Sequence, residues 1–320
     1  MIALLFNQFT DKMPMVRDGQ TGDWIGTFVG HKGAVWSTRL DPQGYLAATA
    51  SGDFSVRVWD AITGDALWLL PHVHVVKTVD FSLDSTRLAT GGHEGLLRIY
   101  DLLSPDFKSS NSKAPSESRV EHPLLAIPQS DDQKIAISKC LWLDNSTVIC
   151  SGDDGYIRKW YIPTTAELNQ SKDSSTPKYK LLRMIPVEPA VAIRDLELSF
   201  VPLDSATTIP VLTVAAGEHV YFYNLADELN DKPMHKWKMP IHFRAEGGAS
   251  LHPSGKYFIA GGSDLWVRVY DFETGNQLEC NKGHHGPIRC LRYSPDGKTY
   301  ATGSEDGTIR LWKTFSHGET

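Results

Sequence analysis

Two sets of four residues stand at matching offsets near opposite ends of the sequence. Counting back from Trp59, Asp53 lies six residues earlier, Thr49 ten and His31 twenty-eight; counting back from Trp312, Asp306, Thr302 and His284 hold the same offsets. A histidine beside a carboxylate and a hydroxyl is the make-up of a nucleophilic relay, in which the acid orients the imidazole and the imidazole takes the hydroxyl proton. It is also the make-up of a buried hydrogen-bond chain. An indole N–H only donates, so once buried it needs an acceptor such as a hydroxyl oxygen, and an imidazole and a carboxylate complete the chain. The duplication favours the second reading, because a chain has little reason to carry one active site twice at identical spacing.

Such residues meet only if short strands bring them together. Gly30 to Asp60 and Gly283 to Lys313 are each 31 residues long. Both open with Gly-His, alternate apolar and polar residues, turn at Asp-Pro-Gln-Gly or Ser-Pro-Asp-Gly, alternate again, turn at Gly-Asp or Asp-Gly and end on Trp. That pattern predicts three strands joined by tight turns. Recurring at a period near ~40 residues, it resembles the WD40 family, whose repeats each build one four-stranded blade of a β-propeller. The resemblance assigns His31, Thr49, Asp53 and Trp59, and His284, Thr302, Asp306 and Trp312, to the family's structural tetrads.

Weaker copies fill the interval. Pro71 to Asp101 keeps His72 and Thr90 but has Glu94 and Tyr100 at the acid and indole positions, where the Tyr hydroxyl is expected to serve as donor. A fourth unit ends at Trp160-Tyr161 with Asp154 and Cys150, a fifth at Tyr223-Asn224, and a sixth at Tyr270-Asp271 with His242 and Asp264. The first unit shows only its last two strands, ending at Asp18. Closing positions 18, 60, 101, 161, 224, 271 and 313 predict an all-β, seven-bladed WD40 propeller forming a single domain over 1–320, with its first blade incomplete at the N-terminus. The missing half-unit leads us to expect about 25 to 30 further residues of strand sequence upstream. Two long steps hold insertions within Leu102 to Ser130 and Ile162 to Lys180, rich in Ser, Thr, Pro and Lys and read as rim loops, with Thr176-Pro177 the best candidate phosphosite.

Composition narrows the function classes. Of 320 residues, 41% are hydrophobic and 22% charged, and the net charge is −6 with a pI of about 6.0. The bulk electrostatics that draw a protein to nucleic acid or anionic lipid are therefore absent, and neither a nucleic acid nor a membrane is an expected partner. Cys140, Cys150, Cys280 and Cys290 show no metal-binding spacing and read as small buried strand residues. No G-x-G-x-x-G, Walker loop, G-x-S-x-G or H-E-x-x-H occurs. No catalytic residue, metal or cofactor is expected, and the chain is read as intracellular.

What remains is surface. In a propeller the strand nearest the axis begins just after the Gly-His loop, and the resemblance implies that partners dock on that face. Five residues after the His lie Trp36, Lys77 and Arg289; one residue before the acid lie His93, Asp153 and Glu305. These six form the candidate partner-binding set, with Trp36 its anchor because Trp and Arg are favoured at interfaces.

Longer segments, among them DKMPMVRDGQTGDWIGTFVGHKGAVW (11–36), HVVKTVDFSLDS (74–85), LLRIYDL (96–102) and SLHPSGKYFIAGG (250–262), resemble a receptor-associated adaptor branch of the family. That resemblance implies a non-catalytic adaptor, cytoplasmic and also nuclear. It would serve small nuclear ribonucleoprotein assembly within the survival-of-motor-neuron complex, and so mRNA splicing. Its partners would be ribonucleoprotein-assembly factors, with a cold-shock-domain RNA-binding protein or a receptor kinase of the transforming-growth-factor-β pathway as others. The alternative is the WD40 subunit of translation initiation factor three, which shares the TGxxIGTxxGHxGAVW entry. A propeller hydrolase or lectin is disfavoured, since clustered carboxylates and metal ligands are lacking.

Overall fold

The computed structural model describes residues 3–6 as backbone and residues 12–103, 123–130, 133–164, 167–168, 179–203, 207–227, 229–243 and 247–314 in full. Its elements form seven antiparallel sheets, distributed over two compact units. The larger unit, Ala3–Asp18 with Asp23–Ala190, contains four sheets; the other, centred on Val191–Thr320, contains three.

In the larger unit the second sheet sets the pattern, with Val35–Leu40, Leu46–Ser51, Ser55–Asp60 and Ala66–Pro71 paired in chain order. Its first turn follows from Asp41-Pro-Gln-Gly44. The Gly44 amide donates to Asp41 O at 3.0 Å, the Asp41 carboxylate accepts the Leu46 amide at 2.7 Å, and Gly44 adopts the left-handed φ of 74°. The third sheet has Leu125–Pro128 as its outer strand, so the end of the first long step is structural. The fourth runs from Ile137–Trp142 to Lys180–Pro186. Thr176-Pro177 and most of both insertions lie outside the described residues.

One expectation is extended here and one corrected. Among the described residues the first sheet is short of four strands, as expected, but has one more than its repeat signature shows: Ala3–Phe6 pairs with Met15–Asp18, which pairs with Trp24–Thr27. Four apolar residues with no Gly-His loop carry no repeat signature, yet they suffice to satisfy one edge of the next strand. The four cysteines also diverge: Cys140 and Cys150 are buried opposite one another in the fourth sheet, whereas Cys280 is half-buried and Cys290 exposed.

In the smaller unit the run Thr208–Asn224 pairs in its first half with Ile193–Pro202 and in its second with His235–Phe243. It doubles back at Gly217, where φ is 59°, and the Leu225 amide donates to Pro210 O at 2.9 Å. A turn this tight leaves no loop residues to read in the sequence.

In the third and fourth sheets burial peaks in the second strand, and in the fourth it is lowest in the outer one. Arg87–Gly92 and Thr147–Gly152 are buried at every position, while Lys180–Pro186 is mostly exposed. Within each unit, apolar clusters join neighbouring sheets, as Val58, Leu70, Val79, Phe81, Leu88 and Tyr100 join the second and third. The first strands of neighbouring sheets form no backbone ladder, so side chains satisfy their amides. In the larger unit Asp80 pairs with Arg39 at 3.1 Å and accepts the Trp142 amide at 2.8 Å. In the smaller unit Glu197 accepts the Leu251 amide at 3.0 Å, Ser250 Oγ accepts the Tyr293 amide at 3.0 Å, and Arg292 grips Asp195 through two bonds of 2.6 and 2.7 Å. Burial pushes the Glu197 carboxyl up, and Arg292 offsets part of that cost.

Arg292→Ala would leave Asp195, 6% exposed, without its counter-charge. The Arg292 side chain is itself 29% exposed, so the loss should sit near the low end for a broken buried pair, about 3 kcal/mol, read from the denaturant midpoint.

Candidate functional site

The duplicated residues meet as one directed chain of hydrogen bonds. Trp59 Nε1–H donates to Thr49 Oγ1 at 2.8 Å, and Thr49 Oγ1 lies 2.7 Å from His31 Nε2. His31 Nδ1 lies 2.8 Å from Asp53 Oδ2. Because the carboxylate only accepts, Nδ1 carries the proton and Nε2 accepts from the Thr49 hydroxyl, so every donor points the same way and each bond polarises the next. In the seventh sheet Trp312 Nε1 donates to Thr302 Oγ1 at 2.8 Å and Thr302 Oγ1 lies 2.7 Å from His284 Nε2. His284 Nδ1 is shared between Asp306 at 3.3 Å and Thr308 Oγ1 at 3.0 Å.

Burial alone would raise the Asp53 carboxyl. The hydrogen bonds from His31, Ser55 and the Lys32 amide outweigh it and hold Asp53 well below the usual carboxylate range. The same holds for Asp306, where burial is outweighed by Thr308 and the His285 amide. The acid thus also fixes the loop that carries its histidine. The glycine before each histidine has a packing reason. A Cβ on Gly30 would sit 3.0 Å from Arg57 Nη1 and 3.2 Å from the Trp59 ring, and one on Gly283 would sit 3.1 Å from the Trp312 ring.

As chemistry, this geometry has the parts of a relay and presents none of them. Thr49 and Thr302 are fully enclosed and already accept an indole N–H, so neither hydroxyl faces a substrate.

Elsewhere the acid takes another partner, and sequence reading missed it. Glu94 pairs with Arg98 at 2.5 Å, Asp154 with Arg158 at 2.5 Å and Asp264 with Arg268 at 2.6 Å, each four residues on. Arg57 and Arg310 occupy the same position after Asp53 and Asp306. In the third sheet His72 keeps Thr90, at 2.8 Å, but turns Nδ1 to Leu70 O at 3.0 Å. The expected Tyr100 donor is not realised: the group acting on its hydroxyl is Arg98, which can only donate, and no acceptor receives its proton among the described residues. In the fourth sheet the Cys150 thiol donates to Gln129 Oε1 at 2.9 Å, and burial pushes its pKa up to about 12. His242 stands at the right offset from Asp264 and joins no relay. The position of the hydroxyl is Ala260, and His242 pairs instead with Glu218 at 2.6 Å.

The surface set divides between the units. In the larger one, Lys77 Nζ lies 3.0 Å from the centre of the Trp36 ring, a cation–π contact. His93 is exposed and stacks on His74 with centroids 5.3 Å apart. Burial, then Lys77 and His74, lower the His93 pKa, and Asp153 opposes them. Four of the six residues therefore belong to one neighbourhood. In the smaller unit Arg289 pairs with Glu305.

Two outcomes test the structural role. Trp59→Phe deprives Thr49 of its donor in a dry site and should cost about 1–3 kcal/mol; Trp312→Phe, at a half-buried indole, should cost less by the same denaturant melt. His72 is held down to about 4, by burial first and by Arg98, with Glu94 opposing. Because its ordinary value of about 6.5 is higher, the unfolded chain binds the proton first and stability is lost as pH falls from about 6.5 toward 4. His72→Gln should flatten that slope by about 1 kcal/mol per pH unit, read as midpoints between pH 7 and 5.

Comparison with known proteins agrees with this architecture. The WD domain, G-beta repeat, matches residues 22–60, 68–101 and 275–313, which include both complete relays. Seven antiparallel sheets carrying such repeats are consistent with a seven-bladed propeller. The serine-threonine kinase receptor-associated protein of Mus musculus is 37% identical over 310 residues, covering 97% of this chain and 75% of that protein. The protein of the same name from Dictyostelium discoideum is 39% identical over 305 residues, covering 95% and 88%. The eukaryotic translation initiation factor 3 subunit I of Culex quinquefasciatus covers a similar share, 96% and 89%, at 29% identity. With similar coverage and markedly higher identity to the first group, the chain belongs to the serine-threonine kinase receptor-associated protein family of WD-repeat interaction scaffolds.

Proposed function

We propose that this chain is a non-catalytic adaptor of small nuclear ribonucleoprotein assembly, acting with the survival-of-motor-neuron complex and so in mRNA splicing. The observation that carries the reading is the 37–39% identity to receptor-associated proteins, sustained over 95–97% of the chain. The relatives' name also supports a role beside receptor kinases. The partners are proteins: ribonucleoprotein-assembly factors first, an RNA-binding protein or a receptor kinase second. Net charge of −6 gives no general attraction for RNA or an anionic membrane, so contact with RNA runs through the partners. The place of action is the cytoplasm, with a nuclear fraction.

The test is affinity purification of the tagged chain from its own cells, with mass spectrometry and imaging of the tag. Assembly factors and small-ribonucleoprotein core proteins should be enriched in both cytoplasmic and nuclear fractions. Enrichment of initiation-factor-three subunits instead would replace this proposal with the translation reading, to which the 29% identical relative points.

A further inference from the structure

Stranded polar atoms gather at one place in the drifted repeats. In the second and seventh sheets the indole donates directly to the threonine, at 2.8 Å in both, and no atom of those two relays is left without a partner. Tyr100 and Tyr270 hold the indole position in the third and sixth sheets, and Thr213 holds the hydroxyl position in the fifth, ten residues before Tyr223. All three hydroxyls are buried, and none of their protons has an acceptor among the described residues. A buried hydroxyl proton with nothing to receive it is costly, so each such group asks for a partner.

The third sheet differs from the sixth in keeping a hydroxyl that can serve. Leu70 O only accepts, so His72 Nδ1 carries the proton, Nε2 accepts, and the Thr90 hydroxyl donates to it at 2.8 Å. A hydroxyl oxygen also has lone pairs. On Thr49 one of them takes the indole N–H; on Thr90 no donor takes it among the described residues. A stranded donor, Tyr100 O–H, and an unused acceptor, Thr90 Oγ1, therefore stand on paired strands, both at 0% exposure. In the sixth sheet Ala260 takes the place of the threonine and offers no such acceptor.

The shape of the ring keeps the two apart. The Tyr100 centroid lies 6.2 Å from that of His72, against 6.1 Å for Trp59 and His31 and 6.4 Å for Trp312 and His284, so the three rings stand at the same depth beside the imidazole. An indole offers its N–H from the side of the ring system and a phenol offers its O–H from the tip. The tyrosine proton consequently leaves in another direction.

We propose that one water molecule is bound between Tyr100 and Thr90, accepting the Tyr100 hydroxyl proton and donating to Thr90 Oγ1 in the part that the indole N–H plays elsewhere. Every donor then points one way, from Tyr100 through water and Thr90 to His72 and Leu70 O, as in the second sheet. Two polar partners meet the minimum for a buried water, and the Glu94 carboxylate, which also acts on Tyr100, is an acceptor for its second proton. Because Glu94 is paired with Arg98, the site carries no net charge and suits a neutral molecule rather than an ion.

The test joins a crystal structure of the full chain with denaturant melts of single and double variants. At better than about 2 Å resolution, a density peak should lie within about 3.2 Å of both Tyr100 Oη and Thr90 Oγ1. Tyr100→Phe releases the water and should raise the unfolding equilibrium constant by about tenfold. Tyr270→Phe, opposite Ala260, removes a hydroxyl that nothing receives and should leave that constant unchanged or lower it. The losses from Tyr100→Phe and Thr90→Val should sum to more than the loss in the double variant, since both hydroxyls act through one water without touching. The proposal is overturned if no peak is found, if Tyr100→Phe is neutral or stabilising, or if the two losses add. Equal losses for Tyr100→Phe and Tyr270→Phe also overturn it, because the Thr90 acceptor would then make no difference.

Discussion

The indole N–H of a buried tryptophan has one use, donation, and the packing of these sheets depends on giving it a receiver. Thr49 provides it, and a threonine hydroxyl that accepts from an indole must in turn pass its own proton onward. His31 receives that proton and Asp53 anchors the histidine, so one buried donor dictates the identity of three further residues on three separate segments of chain. The last of them also holds the amide of Lys32, which ties the loop entering the sheet to the hairpin at its centre. A hydrogen-bond requirement inside one sheet thereby becomes a constraint on where the chain enters it.

Between sheets the constraint changes character. The first strands face one another without a shared ladder, and carboxylates of one strand take the amides of the next. These acids lie in dry surroundings that favour their neutral form, and Arg39 and Arg292 hold the charge in place. Apolar clusters then fill the space on either side. Turns attached to such a frame can vary, which is how a scaffold acquires a side chain such as Phe54 at its surface.

Most of the fold was legible because the relay and the turns impose fixed offsets. Gly-His, the left-handed glycine of the first turn (Gly44 and Gly297) and the closing tryptophan are all visible in Gly30–Asp60 and Gly283–Lys313. What could not be read lacked a forced residue. Ala3–Phe6 pairs with its neighbour without a Gly-His loop or a repeat spacing, and the reversal at Gly217 is too short to leave a loop. His242 shows that an offset is not a contact, since with Ala260 in place of a hydroxyl the imidazole had nothing to face inward. The arginine four residues after each of these acids, and Phe54 where Gly95, Gly155 and Gly307 stand in other repeats, were in plain view. Neither stands out until the backbone shows that the arginine faces the acid and that the turn is left-handed.

That arginine gives the repeats a graded tolerance to mutation. In a hairpin where histidine or tryptophan is replaced, the carboxylate is not stranded, because Arg98, Arg158 or Arg268 already stands one turn of the hairpin away. The acid can keep its charge and the turn its shape while the rest of the relay drifts. Individual blades are thus free to lose their signature one residue at a time without passing through an unfoldable intermediate, provided that the acid and its arginine are the last to go. A chain built this way can diversify blade by blade, and the third, fourth and sixth copies, which lack a full relay, are those in which this reserve pairing is already in use.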